Sequence, residues 1–114
     1  MSLKITNREV GGVMVVSLSG RLTLGDASAT LRQSLKELVE GGKKKIVLNL
    51  GEVGYIDSSG LGELVSGFTT VKNQGGQLKL ANLTQKVNDL LTITKLYTVF
   101  EVHNDEQAAV QSFR

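Results

Sequence analysis

The 114 residues carry 13 Lys and Arg against 11 Asp and Glu, a formal net charge of +2, and 40% of them are hydrophobic. That length suits a single domain over residues 1–114, which buries roughly two-thirds of its unfolded surface and needs neither metal nor disulfide for its core. The lack of cysteine excludes a disulfide framework and thiolate metal sites, and weak charge with 4% aromatic residues argues against direct nucleic-acid binding.

No apolar run nears the roughly 20 residues of a transmembrane helix, and Met1-Ser2-Leu3-Lys4-Ile5-Thr6 lacks the apolar stretch of a signal peptide. A cytoplasmic protein without membrane contact, monomeric in free solution, is the expectation. Leu3 to Val10 alternates loosely, Gly11-Gly12 reads as a hairpin turn, and Val13 to Leu18 is a strand that Gly20 ends. Asp26 is positioned to cap a helix bearing Ala27, Leu31, Leu35, Leu38 and Val39 on one face, with Gly41-Gly42 as its stop. Lys43-Lys44-Lys45 reads as a solvated turn before a buried strand, Lys45 to Leu50.

A second strand-like touch, Val53 to Ile56, leads into Asp57-Ser58-Ser59-Gly60. Leu61, Leu64, Val65, Phe68 and Val71 then fall on one helical face that Asn73-Gln74-Gly75-Gly76 ends. Gln77 to Leu83 gives a strand, and a short helix from about Thr84 turns Val87, Leu90 and Leu91 inward. Tyr97 to Val102 reads as the last strand. Asn104 is expected to cap a closing helix, with Gln107 completing a capping box. Two strands followed by alternating helix and strand predict an α/β domain, a mixed sheet of about five strands with about four helices.

The informative stretch is Ile56-Asp57-Ser58-Ser59-Gly60-Leu61-Gly62. It lies where a strand feeds a helix, whose first turn offers unpaired N–H groups and partial positive charge. Asp and Ser are favoured helix caps, which is one reading of these residues. Two glycines in a first turn are harder to explain, for each costs about 1 kcal/mol relative to Ala. Another backbone, or a bulky partner group, must approach closely there.

Catalysis by Ser58 fits poorly. A hydrolase elbow needs Gly two residues before the Ser, where this chain has Ile56, and His103, the only histidine available as a base, reads as a plain loop residue after a strand. One histidine without cysteine makes no metal site, and no phosphate-cradling P-loop occurs. Neither an enzyme nor a cofactor is expected. Ser58 reads better as the substrate of another protein's chemistry. A phosphate adds about −1.5 to −2 charge, which a helix N-terminus tolerates and an apposed partner surface does not.

At these residues the sequence resembles the bacterial anti-sigma factor antagonists, the stand-alone members of the STAS family, over nearly the whole chain. Val15-Val16-Ser17-Leu18-Ser19-Gly20-Arg21-Leu22 resembles the family's second strand and its Gly-x-Leu exit. Lys45 to Leu50 followed by Val53 to Gly62 resembles the central strand and phosphorylation loop, and Gly75-Gly76-Gln77-Leu78 the glycine turn before the next strand. Thr23 is a departure, standing where many members carry Asp.

The resemblance implies a partner switch. The unphosphorylated antagonist binds an anti-sigma factor that is also a serine kinase, and so frees the sigma factor for transcription. Phosphorylation releases the antagonist, and a serine phosphatase restores it. Carried over by position, Ser58 is the phosphoacceptor, Asp57 contacts or orients at the kinase site, and Ser59, Gly60, Leu61 and Gly62 lie in the docking surface. Other roles for such a domain are the scaffold of a signalling complex and a subunit of a lipid-transport complex.

Overall fold

The computed structural model describes residues 3–23 and 25–113 and, at Asp26, the backbone alone. Its elements are β1 (Lys4–Val10), β2 (Val13–Leu22), α1 (Asp26–Glu40), β3 (Lys45–Ile56), α2 (Ser58–Asn73), β4 (Gln77–Ala81), α3 (Gln85–Thr94), a 3-10 turn (Leu96–Thr98), β5 (Val102–His103) and α4 (Glu106–Gln111). The five strands form one mixed sheet in the order β1-β2-β3-β4-β5. β1 runs antiparallel to β2, and the remaining neighbours are parallel. The expected α/β fold, with about five strands and four helices, is the fold observed.

The β1–β2 hairpin closes through Gly11 and Gly12, both at positive φ (57° and 84°), the combination that a tight type I′ turn demands. The sheet has two covered faces. On the larger, Leu18, Leu48, Leu50 and Leu80 meet Leu31 and Leu35 of α1, Leu64 and Val71 of α2, and Val87 and Leu91 of α3. On the smaller, Ala109 and Val110 of α4 cover Val13, Val15, Val47 and Ala81. The helical faces read from the sequence are therefore the buried ones, with Leu38, Val65, Phe68 and Leu90 partly buried at their margins.

β3 differs most from expectation, being one strand of 12 residues where two short ones were anticipated. Its pairing with β2 slips twice: Ser17 faces Asn49 but Ser19 faces Glu52, and Gly20 faces Val53 but Arg21 faces Tyr55. Each slip inserts one extra residue into β3, as a β-bulge does. The core-facing residues accordingly go Ile46, Leu48, Leu50, then Val53, then Ile56, a spacing that steps from two to three at each bulge. Gly51 and Gly54 break the alternation, which makes the sequence look interrupted while the backbone ladder continues. β2 likewise runs through Gly20 (φ 112°) to Leu22 rather than stopping there.

Several ends also fall elsewhere than predicted. Gly25, not Asp26, occupies the cap position of α1, and Asp26 is its first helical residue. α4 is capped by Asp105, whose carboxylate accepts from the Ala108 N–H at 2.8 Å, so Asn104 is not the cap and no box forms with Gln107. Asp105 lies one residue nearer the helix, and its negative charge suits the positive end of the helix dipole. β4 stops at Ala81 because Asn82 turns to φ 60°. The predicted strand from Tyr97 is a 3-10 turn instead, set by left-handed Lys95 (φ 62°) at the end of α3. Phe100 then anchors in the helical layer, edge-on to Phe68 at 5.4 Å, leaving only Val102 and His103 to pair with β4.

Candidate functional site

β2 and β3 run well past the end of β4, whose pairing with β3 ends at Asn49–Ala81. The rest of β3 projects with β2 alone beside it in the sheet. α3 covers this stretch: the Thr84 hydroxyl donates to the Val53 carbonyl at 3.2 Å and accepts from the Val87 N–H at 3.4 Å, so one side chain caps the helix and ties it to β3. At the tip of the projecting ribbon the chain turns from Ile56 through Asp57 into α2.

Asp57 caps α2, its Oδ1 accepting from the Gly60 N–H at 2.8 Å, while the Asp57 N–H reaches back to the Leu22 carbonyl at 3.4 Å. Ser58 is the first helical residue and is exposed. No hydrogen bond engages its hydroxyl among the described residues. Ser59 is half-buried. The next two residues face inward: Leu61 is packed in the core, and Gly60 lies beneath the end of β2.

The two glycines have different reasons. A Cβ on Gly60 would stand 2.0 Å from the Leu22 carbonyl oxygen, an impossible approach, so Gly60 is required by this chain's own backbone. A Cβ on Gly62 would meet nothing within 4 Å, and the residue is exposed. Internal packing gives Gly62 no purpose. Its cost to the helix, roughly 1 kcal/mol relative to Ala, has no counterweight inside the molecule.

Charged groups near the tip escaped the sequence reading. Arg21, one residue before Leu22, lies over the Tyr55 ring at 4.6 Å, and Lys86 of α3 reaches the same ring at 5.2 Å. The sequence signals were the place of Arg21 within Gly20-Arg21-Leu22 and of Tyr55 just before Asp57, and no local pattern marks Lys86. Arg32 of α1 holds Glu63 of α2 through two hydrogen bonds, at 2.6 and 3.3 Å, and this carboxylate raises the Arg32 pKa.

His103 belongs to β5, not to a loop, and its Nε2 lies 2.6 Å from a Glu101 carboxylate oxygen. It pairs with Ala81, level with Asn49, while Ser58 follows the far end of β3; at about 3.3 Å per residue that separates the two by on the order of 20 Å. The structure does not bring Ser58 and the histidine together. No cluster of three or more His, Asp or Glu side chains able to hold a metal occurs among the described residues. Of the basic run, Lys43 pairs with Glu9 at 3.0 Å, Lys44 donates to the Gln74 carbonyl and Lys45 opens β3. No helix among the described residues is long and apolar enough to cross a membrane.

Comparison with known proteins agrees with this architecture. The chain is 32% identical over 111 residues to the anti-sigma-B factor antagonist of Bacillus subtilis (strain 168), covering 97% of this chain and 100% of that one. It is 28% identical over 111 residues to the anti-sigma F factor antagonist of Paenibacillus polymyxa, covering 96% and 94%. Among solved structures, an anti-sigma factor antagonist from Mycobacterium paratuberculosis superposes with a TM-score of 0.82 at 21% identity, covering 96% of this chain and 92% of that one. The Bacillus cell fate determinant SpoIIAA in its phosphorylated form gives 0.75 at 19% identity, covering 97% and 100%. These structural likenesses establish a shared fold. The model of the STAS domain matches residues 4–109, and the chain belongs to the STAS domain family.

Proposed function

We propose that the chain is an anti-sigma factor antagonist acting as a cytoplasmic partner switch. Unphosphorylated, it binds an anti-sigma factor that is also a serine kinase and thereby frees a sigma factor. Phosphorylation of Ser58 ends that binding, and a serine phosphatase resets the switch. The observation that carries this reading is an exposed, unengaged Ser58 at the first position of α2, followed four residues later by an exposed Gly62 with no internal reason to be glycine. A helical turn left bare at Gly62 beside a free hydroxyl gives a kinase surface room to come close. The relatives named anti-sigma factor antagonists, and SpoIIAA with its phosphorylated form, support the same reading.

The chemistry separates switching from folding. Asp57 already satisfies the Gly60 N–H, so a phosphate on Ser58 replaces no internal hydrogen bond of the cap. The helix N-terminus favours the added charge by up to about 1 kcal/mol, against repulsion from the Asp57 carboxylate. An apposed protein surface has no such tolerance. Like charges brought together at an interface cost several kcal/mol, and about 3 kcal/mol weakens binding more than a hundredfold.

The test is phosphosite mapping by mass spectrometry after incubation of the purified protein with ATP and lysate of its source organism. A phosphate at Ser58, absent from Ser58→Ala, is expected. The Ser58→Ala protein should retain a serine kinase from that lysate and Ser58→Asp should not. Equal retention by both variants, or no phosphate at Ser58 where other kinases act, refutes the proposal.

A further inference from the structure

Beside the Ser58 tip lies a surface that the switch reading leaves unused. Ile56, Leu90 and Ile93 line a shallow hollow of about 280 Å³, with Lys86 and Asp89 on its rim. Ile93 is 77% exposed, the most exposed large apolar side chain among those described. It projects from α3, the helix that covers the β3 ribbon, and Ile56 joins the hollow directly to Asp57 and Ser58. Beside Leu90 and Ile56, the exposed Ile93 side chain adds apolar surface that a partner could bury.

Two cations beside the hollow have no ion-pair partner among the described residues. Arg21 and Lys86 converge on the Tyr55 ring, at 4.6 and 5.2 Å, and no carboxylate pairs with either among the described residues. The acids close to them pair with neither: Glu63 is ion-paired with Arg32, while Asp57 and Asp89 keep their charge and accept hydrogen bonds from neutral donors. Two cations drawn onto one ring repel each other. The ring face offsets part of that, and a partner's carboxylates would offset the rest.

We infer that this surface, Arg21 and Lys86 on Tyr55 with the Ile56–Leu90–Ile93 hollow, is the second half of the docking site, and that it receives an acidic segment of the partner kinase bearing one large apolar side chain. The inference rests on the switch reading and names the chemistry of its partner. The apolar anchor fills the hollow, and carboxylates flanking it face the two cations. This half of the site supplies affinity that is independent of Ser58, while the phosphate acts at the other half.

The experiment uses the serine kinase retained by Ser58→Ala, purified, and titrated calorimetrically with the wild-type protein, Arg21→Glu/Lys86→Glu, Ile93→Asp and Ser58→Asp. Thermal melts establish that each variant is folded; all four altered positions are on the exposed surface, and Lys86 and Ile93 suffice if Arg21 is not tolerated. Charge reversal and Ile93→Asp should each weaken binding about tenfold or more. Wild-type affinity should fall with rising KCl and that dependence should flatten in Arg21→Ala/Lys86→Ala. In phosphorylation assays the charge-reversal and Ile93→Asp variants should raise KM and leave kcat at saturation unchanged, a split that misfolding would not produce. Unchanged affinity in both Arg21→Glu/Lys86→Glu and Ile93→Asp overturns the docking surface, and leaves the switch standing if Ser58→Asp still fails to bind. Ser58→Asp binding as tightly as wild type overturns the switch while the charge and Ile93 effects still score the surface. No kinase retained by any form overturns both.

Discussion

Gly60 and Gly62 look equivalent in the sequence, and the structure predicts that adding one methyl group to each has opposite effects on stability. At Gly62 the new Cβ enters open space, so Gly62→Ala keeps only the gain in helix propensity, about 0.5–1 kcal/mol. At Gly60 the new Cβ would be 2.0 Å from the Leu22 oxygen and 2.8 Å from its carbonyl carbon. Ordinary contact lies beyond about 3 Å, so the first turn of α2 must retreat from β2 by about 1 Å. That movement strains the Asp57 cap and the Asp57–Leu22 hydrogen bond. Overpacking of this kind costs about 1–3 kcal/mol, which exceeds the helical gain. Urea unfolding followed by circular dichroism should therefore place Gly62→Ala above wild type and Gly60→Ala below it. Kinase binding should order the variants differently, because Gly62→Ala puts a methyl group on the proposed docking surface of an intact fold. A Gly60→Ala protein as stable as Gly62→Ala would refute the packing argument. A Gly62→Ala protein that binds the kinase at wild-type affinity would refute the role assigned to the bare helical turn.

Asp57→Ala should lose about 1 kcal/mol through the missing cap while Asp57→Asn retains most of it, measured by the same unfolding curves; a kinase-binding loss in Asp57→Asn would then report on docking alone. Ser58→Asp should change stability by less than about 0.5 kcal/mol, because the hydroxyl has no hydrogen bond to lose among the described residues. Thr84→Val should destabilise by about 1–2 kcal/mol and Thr84→Ser much less, with amide exchange in α3 as the local readout, since the hydroxyl serves both Val87 and Val53. Glu101 has its pKa lowered by its hydrogen bond with His103 and then by that with Lys79. A depressed folded pKa means that its contribution is present above the ordinary carboxylate range, near 4.3, and is lost as pH falls through the folded value. With its side chain 52% exposed, that contribution is below about 1 kcal/mol. The stability gap between wild type and Glu101→Gln should hold at pH 5 and close towards pH 3; a gap that widens with acid would refute the sign.

What the sequence revealed followed from period and punctuation. The faces of α1, α2 and α3 were legible because their apolar residues recur at helical spacing and are the ones buried against the sheet. The β1–β2 turn was legible because only glycine fits two successive positive φ angles so readily. β3 was not, because its two bulges shift the inward positions from Leu50 to Val53 to Ile56 and hide one long strand behind Gly51 and Gly54. The C-terminal strand was overdrawn for the opposite reason. Val99 and Phe100 have strand-like composition, but Lys95 turns the chain into a 3-10 segment and Phe68 captures Phe100 in the helical layer. At the candidate site, the cap and the exposed serine followed from local rules. The gathering of Arg21, Tyr55 and Lys86 did not, since three separate elements meet there and no local pattern records it.

The bulges connect these observations to the proposed function. Without them, the period of two that runs through Ile46, Leu48 and Leu50 would put residue 53 on the opposite face from the core. Each inserted residue resets the alternation, so Val53 and Ile56 return to the core and hold the far end of β3 under α2 and α3. Ile56 buried means Asp57 emerges at the rim, where its carboxylate reaches the Gly60 N–H and starts α2 with Ser58 facing solvent. The same geometry brings Gly60 beneath Leu22, which fixes the helix start against β2 from the other side. Ser58 is thereby exposed on a rigid junction secured by Asp57, Gly60 and Ile56, none of which needs the serine hydroxyl. On the proposed reading, a phosphate at such a site would leave the fold intact, and its charge would act on the partner instead.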